Sequence, residues 1–364
     1  MVRRVTAPRA AGRLTRYLLA ATLGGVLSVS ALLVGLYAGI DVVREAGDLQ
    51  QDYGVPEMLV FVARTLPTRI YDIFPFAALI GVLVGLGRLA SGRELVAMRA
   101  AGFDRGSITT RVVAGALLAT LAVVAMAELA VPGLETEARV AREQARSGSV
   151  GTASGEGLWL RDGARMVHVG LVTWGPDDTV DLTDLDIYAL DGANDNGHLI
   201  RARSARHEGG DWQLRQVERL DLADGGVERF DRLALDSRLD PDVFDALATR
   251  PRLLPMSDIL RIEDYLDRNG LDTRTYREAF WRRALYPANL LAMILVGLPL
   301  LFRPGRSAST ATHVFAGVAL GVGFVVVQRI SLGLAPVLPL PLGLTHALPA
   351  LLFGAAGIVI LRRG

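Results

Sequence analysis

Cysteine is absent from this chain, which removes disulfides, thiolate metal sites and cysteine nucleophiles together. Lysine is absent too, so all 39 basic residues are arginine. A Walker A loop needs its lysine on the phosphates; the chain therefore does not carry that ATPase, and nucleotide energy would have to come from another subunit. Catalytic groupings are equally scarce. The five histidines, at 168, 198, 207, 313 and 346, are dispersed, with no H-E-x-x-H and no G-x-S-x-G elbow. Net charge is only +1, which leaves no basic footprint for nucleic acid. The expectation is a non-catalytic protein without a metal or other cofactor.

What the chain has instead is apolar length. Hydrophobic residues make up 51% of its 364 residues, mean hydropathy is +0.34, and 39 residues are glycine. Several apolar runs exceed what a core helix needs, which predicts a polytopic helical membrane protein. Arg3, Arg4, Arg9, Arg13 and Arg16 precede the uncharged run Leu18 to Ile40, long enough to cross about 30 Å of hydrocarbon. The positive-inside rule then places the N-terminus in the cytoplasm; a cleaved signal peptide is the competing reading. Further spans are expected at about Ile70 to Leu89, Ile108 to Val131, Ala284 to Phe302, Thr312 to Leu332 and Leu344 to Leu361. Asp41 to Arg69 is mixed, with Pro56 and Pro67 framing a short helix outside the membrane. Arg303-Pro-Gly-Arg306 and Arg362-Arg363 fall on the same side as the N-terminus, so six spans with both ends inside are self-consistent.

Between the third and fourth spans the composition changes. Residues 134 to 272 are polar, with period-two segments such as Asp184-Leu-Asp-Ile187 and Trp212-Gln-Leu214 continuing to Leu220 and Leu222. Turn signals at Gly192, Asn194-Asp-Asn-Gly197, Gly209-Gly210 and Gly225-Gly226 separate them, which predicts an antiparallel β-domain. A helix over Ser257 to Arg268 follows, stopped by Asn269-Gly270. The division is residues 1–133 with three spans, 134–255 as the β-domain, and 256–364 with a connecting helix and three spans.

One short stretch organises the rest. Ser91-Gly-Arg93-Glu94-Leu95-Val96-Ala-Met98-Arg99-Ala-Ala-Gly102-Phe103 lies between the second and third spans. Ser91 and Glu94 match an S-x-x-E capping box, and Gly102 fits the left-handed position past a helix end. The predicted helix, over residues 91–102, covers about ten residues or roughly 15 Å. Leu95, Val96, Met98 and Phe103 offer apolar surface, and Arg93, Glu94, Arg99 and Arg105 offer charge. Two readings stand: a cytoplasmic helix that docks into another protein, or an interfacial helix on lipid headgroups.

Arginine also occurs on the unexpected side. Arg44, Arg64 and Arg69 lie near the outer ends of the first two spans; Arg139, Arg142 and Arg146 follow the third, and Arg277, Arg282 and Arg283 precede the fourth. They suit either ion pairs with Asp41, Asp72, Glu128, Glu135, Glu137 and Glu278, or a ring of guanidinium forks for lipid phosphates. Glu128 and Arg329, within or near spans, are functional candidates because charge in hydrocarbon is costly. Small-residue pairs at Gly35 and Gly39, Gly81 and Gly85, and Gly317 and Gly321 permit close helix approach, and would give the first and fifth spans faces able to slide or separate as a lateral gate.

Four segments carry a resemblance: Glu94-Leu-Val-Ala-Met-Arg-Ala-Ala-Gly102-Phe103, Phe74-Pro-Phe-Ala-Ala-Leu79, Glu128-Leu-Ala-Val-Pro132 and Gly157-Leu-Trp-Leu-Arg-Asp-Gly163. Together they resemble the lipopolysaccharide export permeases, the LptF/LptG (YjgP/YjgQ) family, along essentially the whole chain. Phe103 and the Gly-Leu-Trp segment look more like the LptG branch than the LptF one. The resemblance implies an inner-membrane ABC transporter permease with a periplasmic β-jellyroll that joins partner jellyrolls through sheet edges. Implied partners are a sister permease (LptF-like), a dimeric cytoplasmic ATPase (LptB-like), a single-span periplasmic protein (LptC-like) and lipopolysaccharide itself.

The family's coupling helix corresponds to Ser91 to Gly102, with Glu94 meeting an arginine of the ATPase, and its phosphate-facing basic residues correspond to Arg139 and Arg142. One departure is visible: lysines that relatives place near the outer end of the first span are replaced by Ala38 and Glu45, with Arg44 kept basic. Alternatives to the LptG-type reading are an LptF-type subunit, an ion-driven secondary transporter, which would need polar groups near the midplane, and a passive anchor for the β-domain.

Overall fold

The computed structural model describes residues 8–49, 53–147, 158–162, 165–174, 180–189, 197–208, 211–222, 224–235, 237, 251, 253–302, 310–335 and 340–363. Gly192, Asn194 to Asn196, Gly209-Gly210 and Arg303 to Arg306 lie outside these. Two compact units divide the chain: Met1–Gly47, Val62–Val131 and Phe280–Gly364 form one, and Asp48–Phe61 and Pro132–Ala279 the other.

Helices α1 (Pro8–Ala46), α2 (Val55–Ser91), α3 (Glu94–Ala100), α4 (Arg105–Leu129) and α5 (Val131–Ser147) come first. After the strands come α6 (Met256–Arg268), α7 (Arg274–Ala284), α8 (Tyr286–Gly297), a 3₁₀ turn over Leu298–Phe302, α9 (Thr310–Leu334) and α10 (Leu342–Arg363). Among the described residues five helices are long and apolar enough to cross a membrane: α1, α2, α4, α9 and α10. A sixth crossing is made if α7 and the segment Tyr286–Phe302, bent by 48°, count as one.

Three expectations need correcting. The expected fourth span, Ala284 to Phe302, is α8 with its 3₁₀ turn and is continued outward by α7 across a bend: Pro287, at the start of α8, has no N–H for the carbonyl of Arg283, so the helix breaks at Leu285. Pro56 and Pro67 do not frame a separate short helix. Pro56 sits in the first turn of α2, where its missing N–H costs nothing, and Pro67 lies inside α2 with Pro75. Finally, residues 134–147 are helical, in α5, and the first strand begins only at Leu158; their polarity reflects charged faces rather than strand alternation.

Within the helical unit α2 is the enclosed element, and residues 77–87 of it are all buried. A segment apolar on every side is stable only when surrounded. Its neighbours come close because glycines meet: a Cβ on Gly25 would stand 2.2 Å from the Gly81 carbonyl oxygen, and one on Gly85 would stand 2.3 Å from that of Ala21. Pro75 leaves the carbonyl of Tyr71, four residues back, without a helical donor. The Tyr286 hydroxyl supplies one at 2.9 Å, and the two tyrosine rings stack with centroids 4.4 Å apart.

The second unit holds a six-stranded antiparallel sheet in sequential order, β1 (Leu158–Asp162), β2 (Arg165–Trp174), β3 (Val180–Ala189), β4 (His198–Glu208), β5 (Asp211–Asp221) and β6 (Val227–Leu235). Among the described residues the β-domain is this one sheet, with every strand paired to its sequence neighbours. Alternation places Val167, Val169, Leu185, Ile187, Ala202, Leu214 and Val217 in its core. The alternation slips once, at Asp184 in β3 and Gln216 in β5, where φ is +54° and +51°. Buried Leu182 and Leu185 are therefore three residues apart, as are Leu214 and Val217. The Gly225-Gly226 turn joins β5 to β6, with Gly225 at φ +73°. Helix α6 ends at Asn269-Gly270, with Gly270 left-handed at φ +65°.

Candidate functional site

Helix α3 ends in the predicted way and begins in another. Gly102 adopts φ +97°, its N–H reaches the Arg99 carbonyl at 3.0 Å, and the Phe103 N–H reaches that of Met98 at 3.1 Å. This pair of bonds is a Schellman stop. The capping box does not form. Ser91 is the last residue of α2 and its hydroxyl donates to the Arg88 carbonyl at 3.0 Å. Arg93 takes the N-cap position with a left-handed backbone, φ 59°, and no side-chain cap bond is made. Glu94 instead accepts a hydrogen bond from the Tyr17 hydroxyl of α1 at 2.7 Å, which ties the helix to a span 77 residues earlier in the chain.

The apolar residues of α3 divide between two directions. Leu95 is 3% exposed and belongs to the core built by Leu18, Leu86, Leu89 and Ile108 of the flanking spans, with Met98 and Phe103 packed against it. Val96, in contrast, is 63% exposed, beside exposed Arg93, Ala97, Arg99 and Ala100. The helix thus stands on the spans by one face and offers the other to solvent, a rigid projection made of the minimum number of residues.

The arginines divide similarly. Of the nine arginines that suit phosphates, at least five hold carboxylates among the described residues: Arg69 on Asp41 at 2.7 Å, Arg139 on Glu135 at 2.7 Å, Arg142 on Asp48 at 2.8 Å, Arg277 on Glu263 at 2.7 Å, and Arg283 on Glu128. Arg69 also lies over the Tyr37 ring, Arg142 over Phe61 and Arg283 over Tyr71, at 5.7, 5.2 and 6.0 Å. Arg44 is exposed in the last turn of α1. Arg64 is half-buried on α2, and Arg282 sits in the last turn of α7. Arg139 keeps a buried Nε–H without a hydrogen-bond partner.

The glycine pairs behave differently from one another. Gly81 and Gly85 receive α1, as described, and Gly317 and Gly321 of α9 receive Leu83, Ile80 and Phe76 of α2, with a Cβ on Gly321 only 2.8 Å from the Phe76 ring. Gly35 and Gly39 face open space, on a stretch of α1 that also exposes Leu32, Leu36, Ile40 and Val43. Sequence reasoning missed Gly25, which carries the α1 to α2 contact without belonging to a spaced pair, and Tyr17 and Tyr286. The signal for Tyr286 was Pro75, whose orphaned carbonyl required a donor from elsewhere.

Comparison with known proteins bears on these features together. The family model of the lipopolysaccharide export system permease LptF/LptG matches residues 16–363. The chain is similar to the lipopolysaccharide export system permease protein LptG of Haemophilus influenzae, at 31% identity over 345 residues, covering 93% of this chain and 95% of that protein. It is also similar to the protein of the same name from Escherichia coli K12, at 29% identity over 339 residues, covering 91% and 92%.

Proposed function

The chain belongs to the LptF/LptG family of lipopolysaccharide export system permeases, and from that premise we propose that it is the LptG-type, non-catalytic subunit of an ABC transporter whose ATPase is a separate cytoplasmic dimer. The LptG names of its relatives support the subunit type. In this reading the chain sits in the inner membrane beside an LptF-like sister permease, with both termini and α3 in the cytoplasm. The domain over residues 134–255, helical to Ser147 and stranded from Leu158, stands in the periplasm and hands lipid to an LptC-like partner's sheet. Residues 1–133 and 256–364 supply the spans that hold and release lipopolysaccharide from the outer leaflet.

The seating of α3 carries the proposal. Leu95, Met98 and Phe103 fix the helix to the spans, so a force on its exposed face, Arg93 and Val96, moves those spans rather than bending a loop. Glu94, held by Tyr17, is the acidic contact for the ATPase. Closure of the nucleotide-loaded ATPase pushes α3, shifts α1, α2 and α4, and collapses the lipid site. The open face of α1 around Gly35 and Gly39 and the exposed face of α9 at Phe315, Val318, Val322 and Val326 are the surfaces that part to admit lipid. Phosphate recognition falls to Arg44 and to Arg139, whose buried Nε–H has no hydrogen-bond partner, with Arg142 one turn further along α5.

The test is Glu94→Arg in the assembled complex, with retention of the ATPase and release of lipopolysaccharide both measured. Loss of either supports the coupling role; both at wild-type level overturn it. Replacing Arg139 and Arg142 by glutamine should weaken photocrosslinking to lipopolysaccharide, and unchanged crosslinking would reduce them to structural ion pairs.

A further inference from the structure

A shallow groove of about 600 Å³ lies where the loop after α3 meets the end of α10, lined by Arg99, Phe103, Asp104, Arg105, Leu361 and Arg362. Its arginines differ from those at the span ends that hold carboxylates. Arg69, Arg139, Arg142 and Arg283 each hold a carboxylate. Arg99, Arg105 and Arg362 form no ion pair among the described residues. Three guanidinium groups therefore face a single carboxylate. Arg105 is held over the Phe302 ring at 5.9 Å, and its Nε–H is buried without a hydrogen-bond partner. A buried donor left unmet is costly, and an arginine fork is shaped for a phosphate or carboxylate. Beyond the groove, α10 exposes Ile358 and Val359 one turn back from Arg362, and Leu351 and Leu352 two turns further back, an apolar stripe running along the span from the cationic end.

We propose that this groove holds the phosphate headgroup of an anionic glycerophospholipid, with the acyl chains laid along α10. The inference rests on α3 and the end of α10 lying at the cytoplasmic face, as proposed above, and adds a bound lipid that is not the exported one. Basic pockets between spans on that side suit anionic headgroups. An amphiphile meets both halves of the surface at once, the three cations and the apolar path, whereas an acidic protein face would meet only the first. The site adjoins the C-terminal stop of α3 at Gly102, so an occupied groove stiffens the loop through which α3 is joined to α4.

The experiment titrates the detergent-solubilised full chain with phosphatidylglycerol and reads bound lipid by native mass spectrometry, with phosphatidylcholine and inorganic phosphate as the other arms. The expected result is selective retention of phosphatidylglycerol. Arg105→Gln with Arg362→Gln should weaken it about 25-fold, at about five-fold per guanidinium, while Arg105→Lys with Arg362→Lys keeps most of the binding and shows that the fold survives. Equal retention of phosphatidylcholine, undiminished binding by the glutamine variant, or inorganic phosphate binding as well as the lipid would each overturn the lipid assignment. Loss of the partner ATPase from the glutamine variant with phosphatidylglycerol binding intact would assign the groove to an acidic protein face and overturn it too. Because the chain has no cysteine, Ala100→Cys labelled by an impermeant maleimide reports the side independently. Labelling from outside the cell sinks the topology, whatever the lipid titration shows.

Discussion

The ion pair between Arg283 of α7 and Glu128 of α4 gives the sharpest test of whether span-end arginines serve structure or cargo. The two side chains are buried unequally, 6% and 28% exposed. Glu128→Gln removes the negative charge opposite an almost fully buried guanidinium, and loss of one partner from a buried pair costs about 3–5 kcal/mol. The Tyr71 ring beneath it is present in both proteins and does not change that cost. Arg283→Gln strands a carboxylate that water still reaches, so its cost is smaller, about 2 kcal/mol. The double variant leaves two amides able to bond each other, and should cost well below the sum of the singles, with a coupling energy of roughly 2 kcal/mol. Equilibrium unfolding in mixed micelles of the wild type, both singles and the double variant measures this directly, with lipopolysaccharide photocrosslinking run on the same four proteins. If the singles are additive and each costs less than about 0.5 kcal/mol, while Arg283→Gln alone abolishes crosslinking, then the arginine serves cargo phosphate and the structural reasoning is wrong.

Gly25→Ala should destabilise the helical unit by about 1–3 kcal/mol, because the new methyl lands 2.2 Å from the Gly81 carbonyl oxygen; Gly35→Ala, in open space, should lie within about 0.5 kcal/mol of wild type, and thermal melts that fail to separate the two refute the close contact. Tyr286→Phe removes the donor to the Tyr71 carbonyl and should cost about 1–2 kcal/mol, with Pro75→Ala in the same background recovering much of it by restoring a helical N–H; no recovery would mean the carbonyl is satisfied otherwise. In the sheet, the hydrogen bond from Arg206 holds the Asp181 carboxyl below its usual range. A depressed folded value adds stability that is present above the unfolded value near 3.8 and lost as pH falls below it, so Asp181→Asn should flatten the acid limb of hydrogen exchange in β3 and β4. Asp48→Asn releases Arg142 from its ion pair at a cost of about 0–1 kcal/mol. If Arg142 binds lipid phosphate, crosslinking to lipopolysaccharide should rise, and a fall would show that the pair positions the arginine.

Features set by a residue and its chain neighbours were legible, and features set by a distant residue were not. Gly102 and Gly270 announced left-handed helix ends because only the local backbone decides them. Period-two burial announced the strands, up to the row where Asp184 and Gln216 turn left-handed and the alternation slips. Ser91 and Glu94 satisfied a local pattern, yet α2 kept Ser91 and Tyr17, 77 residues away, took Glu94. The break at Leu285 was written in Pro287 and overlooked, because an apolar run long enough to span hides the proline within it.

The arginines show why composition alone stops short of a site. With no lysine in the chain, every cation is a planar fork that pairs equally well with a carboxylate or a phosphate. Counting them near span ends cannot separate the two uses; the position of the nearest acid does. Arg139 has Glu135 one helical turn away, a pairing visible in the sequence spacing. Arg69, Arg142 and Arg283 find Asp41, Asp48 and Glu128 only because helices or loops distant in sequence are brought together. A guanidinium that folding leaves without an ion pair among the described residues, such as Arg99, Arg105 or Arg362, is therefore stronger evidence of a ligand than one that sequence alone places among negative charges. Lipid-contacting arginines in such chains are better sought by eliminating those that the fold has already paired than by their proximity to the membrane surface.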